Sequence, residues 1–129
     1  MVHVKDSKGL YEIKFDSTRR ICYEKNLGFW RKEDIERYHD DYVKKVSHEF
    51  NGKPWAVCCD LRGYKTSNIN EEMEKHTQWK VNSGMCCAAI IVSDTIVKMQ
   101  LNKASGGKYP QMAFTSEQEA DEWLRSKGF

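Results

Sequence analysis

Two short, unbroken apolar runs constrain this chain most. Trp55-Ala-Val-Cys-Cys59 and Met85 through Val92 lack the polar alternation of a half-exposed strand. That is the signature of strands covered on both faces, as in parallel sheets. Parallel neighbours need a long crossover, usually a helix, and an amphipathic stretch precedes each run. Over 32–50, Ile35, Tyr38, Tyr42, Val43, Val46 and Phe50 recur at three- and four-residue steps, giving one apolar stripe. Over 69–83 the stripe is Ile69, Met73 and His76 with Trp79 at its edge, and Asn68 to Glu71 reads as a capping box.

The flanks complete the pattern. Tyr11-Glu-Ile-Lys-Phe15 alternates apolar and polar, Asp16-Ser-Thr18 supplies a turn, and Arg20 to Glu24 reads as the return strand of an antiparallel hairpin. Gly28 is expected to break the chain before the first helix. Ser93-Asp94 caps a third helix with Val97, Leu101 and Ala104 on one face, which Gly106-Gly107 ends. Gln111 to Phe114 is a short strand. The capping box Ser116 to Glu119 opens a last helix that buries Ala120, Trp123 and Leu124. The order β-β-α-β-α-β-α-β-α predicts a single α/β domain over 1–129. Its sheet is mixed and mostly parallel, of about five strands with four helices.

Charge and cysteines narrow the function classes. Charged residues make up 31% of the chain, yet the net charge is only +2, because acids and bases are intermixed along it. A nucleic-acid binder concentrates its positive charge on one face, so none is expected here. Lys98, Lys103 and Lys108, with only Asp94 among them, read as a solvated face. The run from Met85 to Val92 is far short of the ~20 residues that span a bilayer, so no membrane span is predicted. Met1 to Lys5 lacks the apolar core of a signal peptide. Five cysteines without regular spacing make a poor disulfide framework, which favours a reducing cytoplasm.

Most catalytic templates fail. His48-Glu49 begins an HExxH pattern, but Gly52 stands where the second zinc ligand belongs. Ser105-Gly-Gly-Lys108 lacks the first glycine of a phosphate loop and is followed by Tyr109. No metal and no cofactor is expected. Cys58-Cys59 and Cys86-Cys87 are adjacent pairs whose members point to opposite faces of a sheet, as small core side chains do. His39 and His76 fall near the apolar stripes of their helices and approach each other if those helices share a face. The stretch from Asp60 to Asn68 reads as a polar loop leaving the carboxyl end of a strand, where open α/β sheets bind ligands. Asp60, Arg62, Tyr64, Ser67, Asn68 and His76 are the candidate partner- or ligand-binding residues.

Three segments in order carry a family resemblance: Gly28-Phe-Trp before a charged helix, Pro54-Trp-Ala-Val-Cys-Cys-Asp60-Leu-Arg62, and Phe114-Thr-Ser-Glu-Gln-Glu-Ala-Asp-Glu-Trp-Leu124. From about Tyr11 onward the chain resembles the stage II sporulation protein AA-like family. The resemblance implies a small bacterial cytoplasmic protein of STAS-type fold, related in shape to anti-sigma factor antagonists and to lipid-binding CRAL-TRIO domains. Antagonists carry an Asp-Ser pair and a glycine at the start of the helix after this strand, and the serine is phosphorylated. Here that stretch is Thr66-Ser67-Asn68-Ile69-Asn70, without the pair or the glycine.

Three functions follow as expectations. The first is a non-enzymatic regulatory or protein-interaction module acting through 60–68, where phosphate on Ser67 would add about −1.5 to −2 charge. The second is a carrier or sensor of a small apolar or amphipathic ligand between sheet and helices, lined by Trp30, Tyr38, Tyr42 and Trp79. The third is acid–base chemistry by His39 or His76 with Asp60. A homodimer is open to a chain of this size.

Overall fold

The computed structural model of the chain describes residues 2–65, 68–104 and 109–129. Ser67, the faces of Leu101 and Ala104, and the Gly106-Gly107 helix stop lie outside what is described. Six strands form one sheet in sequence order: β1 (Val2–Lys5), β2 (Tyr11–Asp16), β3 (Ile21–Phe29), β4 (Trp55–Lys65), β5 (Met85–Ile91) and β6 (Gln111–Phe114). The first two pairings are antiparallel and the remaining three parallel. The expected mixed α/β sheet with four helices is present, with β1 added at one edge.

Helices α1 (Lys32–Asp41) and α2 (Asn70–Asn82) cover one face of the sheet. Right-handed crossovers between neighbours that step in one direction across a sheet place their helices on a common face. Ile35, Tyr38, Tyr42 and Ile69 bury there against Tyr11, Ile13, Phe15, Cys22, Val57 and Cys59. α4 (Glu117–Ser126) packs on the opposite face, where Ala120 and Leu124 meet Ile21, Ala56, Cys58, Cys87, Ala89 and Ile91. The adjacent cysteines Cys58 and Cys59 therefore point to opposite sides, as their spacing predicts. Cys86, by contrast, is exposed. The register shifts between Trp55 and Ala56, so Met85 pairs with Trp55 and Cys87 with Ala56, and Cys86 has no partner in that ladder.

Several boundaries differ from expectation for physical reasons. Gly28 lies inside β3 at φ +73°, and a Cβ there would stand 3.2 Å from Leu10. Glycine lets the strand continue where a break was expected. β4 runs on to Lys65, so the supposed loop after Asp60 is largely strand. Its extension pairs only with the end of β3 (Leu27 with Gly63, Gly28 with Tyr64, Phe29 with Lys65), because β5 ends opposite Asp60. A two-stranded ribbon with few covering neighbours explains the polar composition. α2 starts with Ile69 at its N-cap and no side-chain cap, so the Asn68 capping box does not form. α1 gives way to a π turn at Tyr42–Val46 and a 3-10 turn at Ser47–Glu49. Tyr42 and Val46 stay buried through that change while Val43 faces solvent. At α4, Ser116 Oγ accepts from the Glu119 N–H at 3.1 Å, as the capping box predicts.

Two connections bind the layers. Arg20, at φ +60°, donates from its guanidinium to the carbonyls of Pro54 (2.8 Å), Lys53 (3.2 Å) and Phe50, holding the hairpin turn to the start of β4. On the far side, Asn102 of α3 (Thr95–Ala104) donates to the Ala113 carbonyl at 3.2 Å and accepts from its N–H at 2.7 Å. These bonds occupy the edge strand β6 with a side chain, one way proteins blunt an exposed sheet edge.

Candidate functional site

α4 covers β5 and β6 but leaves the α4 face of β1, β2 and much of β3 open. Along that open face Lys5, Glu12, Lys25 and Asp60 stand in direct register across four strands, with alternating sign. Opposite charges placed directly across a ladder support the pairing. Where this face runs under α4 it forms a groove of about 510 Å³, within the range of small-molecule sites. Tyr23, Cys58, Ile91 and Leu124 give it an apolar floor, and Lys14, Lys25, Asp60, Glu117 and Asp121 stand around them.

Three acids of this groove, Asp60, Glu117 and Asp121, are held in place by arginines. Arg62 donates to Asp60 through Nε (3.0 Å) and Nη2 (2.8 Å), and the same Nη2 reaches Glu117 of α4 at 2.9 Å. Asp121 takes Arg19 at 2.5 Å and Arg125 at 2.9 Å. The Arg62 hydrogen bond keeps the Asp60 carboxyl below its ordinary pKa, and Arg19 does the same for Asp121. Both stay ionised at neutral pH. The Asp60–Arg62 pair braces β4 against α4 and does not shape a free loop.

On the other face lies a polar cluster inside the aromatic core. Glu24 of β3 pairs with Lys80 of α2, and both are buried. Tyr42 donates to the same carboxylate and its oxygen lies 3.1 Å from the Cys22 sulfur. The Tyr38 hydroxyl faces Glu24 without the geometry of a hydrogen bond. Burial alone opposes the Glu24 charge, but the Lys80 ammonium and the bonds from Lys80 and Tyr42 outweigh it and hold the carboxyl below its usual value. Burial pushes the Cys22 and Cys58 thiols up to about 12 and the Cys87 thiol to about 11. A thiol so raised is a poor nucleophile at neutral pH.

His76 is buried beside this cluster. Its Nδ1 lies 2.9 Å from Nδ1 of His39, so α1 and α2 bring the two histidines together. Asp60 points to the α4 face, the histidines to the other, and the sheet stands between them. No single substrate atom can meet both, which removes the proposed acid–base set. Tyr64 packs edge-on against Trp30, ring centroids 5.8 Å apart. Asn68 is exposed at the approach to α2. The expected site thus divides: Asp60 and Arg62 on one face, Tyr64 and His76 on the other. Glu24 and Lys80, the most unusual polar residues of the interior, escaped the sequence reading, although a glutamate amid Ile21-Cys22-Tyr23 was a visible signal.

The aromatics expected to line a ligand site are core. Trp30, Tyr38 and Tyr42 are at most 1% exposed. Tyr38 packs against Trp30 (4.9 Å) and Tyr42 (5.3 Å), and Trp79 closes on Tyr42 at 6.0 Å. Among the described residues no group of three or more His, Cys, Asp or Glu is arranged to hold a metal, and no helix is long and apolar enough to cross a membrane.

No protein-family model matches the chain, and no curated protein does. A solved structure does match over 96% of both chains, at a TM-score of 0.66 and 14% identity. It is that of an uncharacterized protein of the DUF3478 family with a SpoIIAA-like fold, from Shewanella loihica PV-4. This chain has the SpoIIAA-like fold. That agrees with the architecture implied by the resemblance, and at such low identity the likeness concerns fold alone.

Proposed function

We propose that the protein is a small non-enzymatic binding module that holds an amphipathic ligand in the groove under α4. The observation that supports this reading is the groove itself: an apolar floor within a ring of charges, near the carboxyl ends of the parallel strands, where α/β sheets take ligands. Lys14 and Lys25 face it as cations, while Arg62 and Arg19 engage Asp60, Glu117 and Asp121. The anionic dye 8-anilinonaphthalene-1-sulfonate should bind saturably and fluoresce. Tyr23→Ala removes part of the floor and should weaken that binding by at least tenfold, whereas Val43→Ala, on the exposed side of the other layer, should not. Absence of saturable binding, or equal binding by both variants, would sink the reading.

A second reading, a protein-interaction module, draws on α3. Ile96 and Met99 are 66% and 60% exposed, and Val97 is 40% exposed beside them. Apolar side chains gathered on one exposed helix mark contact surfaces. Ile96→Glu with Met99→Glu should abolish capture of a partner from the native lysate and leave dye binding intact. Partner capture unchanged by the double variant would count against α3 as the docking surface.

A further inference from the structure

The His39–His76 contact accommodates a limited number of protons. A hydrogen bond between two Nδ1 atoms 2.9 Å apart needs one of them to carry a hydrogen and the other to offer a lone pair. The second nitrogen of His76, Nε2, is buried without a hydrogen-bond partner among the described residues. We propose that this contact is a proton-sensitive seam: one proton bridges α1 to α2, and protonation of the buried His76 ring parts them.

The surroundings support this. From α1 and the π turn after it, the rings of Tyr38 and Tyr42 stand 5.0 and 5.1 Å from the His76 ring, and His39 meets it at 5.1 Å. From α2 itself, Trp79 stacks on it at 6.0 Å, and the Lys80 ammonium repels a proton there. The anion nearby, Glu24 of β3, is already engaged by Lys80 and Tyr42. A charged His76 would thus hold an N–H in an apolar wall, facing one cation and, when His39 is also protonated, a second. Burial first, then the charges of Lys80 and His39, keep its pKa well below the ordinary 6.5.

The sign follows from linkage. In the open form His76 titrates normally and binds more protons than in the closed form, so closure is fully favoured above about pH 6.5. It weakens about tenfold for each pH unit below that. At pH 5.5 the carboxylates of Asp6, Glu24, Asp60 and Asp121 remain ionised, since each is held below its ordinary value. A change between pH 8 and 5.5 therefore reports on histidine.

The test is amide hydrogen exchange of the full chain at pH 8 and 5.5, corrected for intrinsic chemistry and read by peptide. Segments 32–46 and 70–82 should lose protection about tenfold at the lower pH, while β2 to β4 keep theirs. His76→Phe preserves the ring packing and should show no such loss. Equal protection of the two segments at both pH values, or the same loss in His76→Phe, would overturn the proposal. Should His76→Phe not fold, imidazole titration of the wild type by NMR decides. Protonation of His76 at an ordinary midpoint with 70–82 still protected refutes the seam. Protonation accompanied by lost protection supports it.

Discussion

Lys80→Met, made alone, should lower the unfolding free energy by about 3–5 kcal/mol, read as a shifted urea midpoint with an unchanged slope. The loss exceeds the worth of the pair itself. Removing Lys80 leaves the Glu24 carboxylate, 5% exposed, without its cation and held by the Tyr42 hydroxyl. The double variant Glu24→Leu with Lys80→Met should recover most of the loss, because a buried pair replaced by apolar side chains of similar volume is often neutral or stabilising. A single variant as stable as the wild type would mean that water reaches the cluster. The sign of the pH dependence is also set. Glu24 has a depressed pKa, so its contribution is present above the ordinary glutamate value of 4.5 and disappears as pH falls below it.

Trp30→Ala should cost about 3–5 kcal/mol in the same measurement. Its ring is fully buried, meets Tyr11, Tyr38 and Tyr64 edge-on or tilted, and donates from Nε1 to the Leu27 carbonyl at 2.9 Å. Typical domains hold only about 5–15 kcal/mol in total, so this truncation threatens folding. A ring lining an open ligand site would lose far less, since its exposed side makes no packing contacts. A small effect would return the ligand site to the α1–α2 side of the sheet.

The fold was legible where periodicity was strong. Trp55 to Cys59 and Met85 to Val92 announced covered strands, and the spacing of Ile35, Tyr38 and Tyr42 announced a helix. Signals that depend on tertiary neighbours were harder to see. Val2-His-Val-Lys5 alternates and is followed by a Gly9 turn, yet four residues at an edge become a strand only because β2 lies beside them. The polar residues after Asp60 read as a loop, because a two-stranded ribbon asks little hydrophobicity of its members. For the site, Asp60 and Arg62 could be named because the polar run after Cys59 reads as the end of a strand, although β4 continues through it to Lys65. The groove could not, since Glu117 and Asp121 come from a helix more than fifty residues away, and only its crossing to the other face brings them near. Glu24 and Lys80 are likewise 56 residues apart, and no local pattern joins them.

The Asn102 bonds to Ala113 bear on how copies of this molecule can meet. A sheet that offers open backbone at both ends can extend through copy after copy without limit. Here one end is stopped by an amide from the molecule's own helix. β1 is then the edge left open to strand addition among the described residues, and two molecules joined there would terminate each other. Fibre growth through the sheet would first require α3 to release β6.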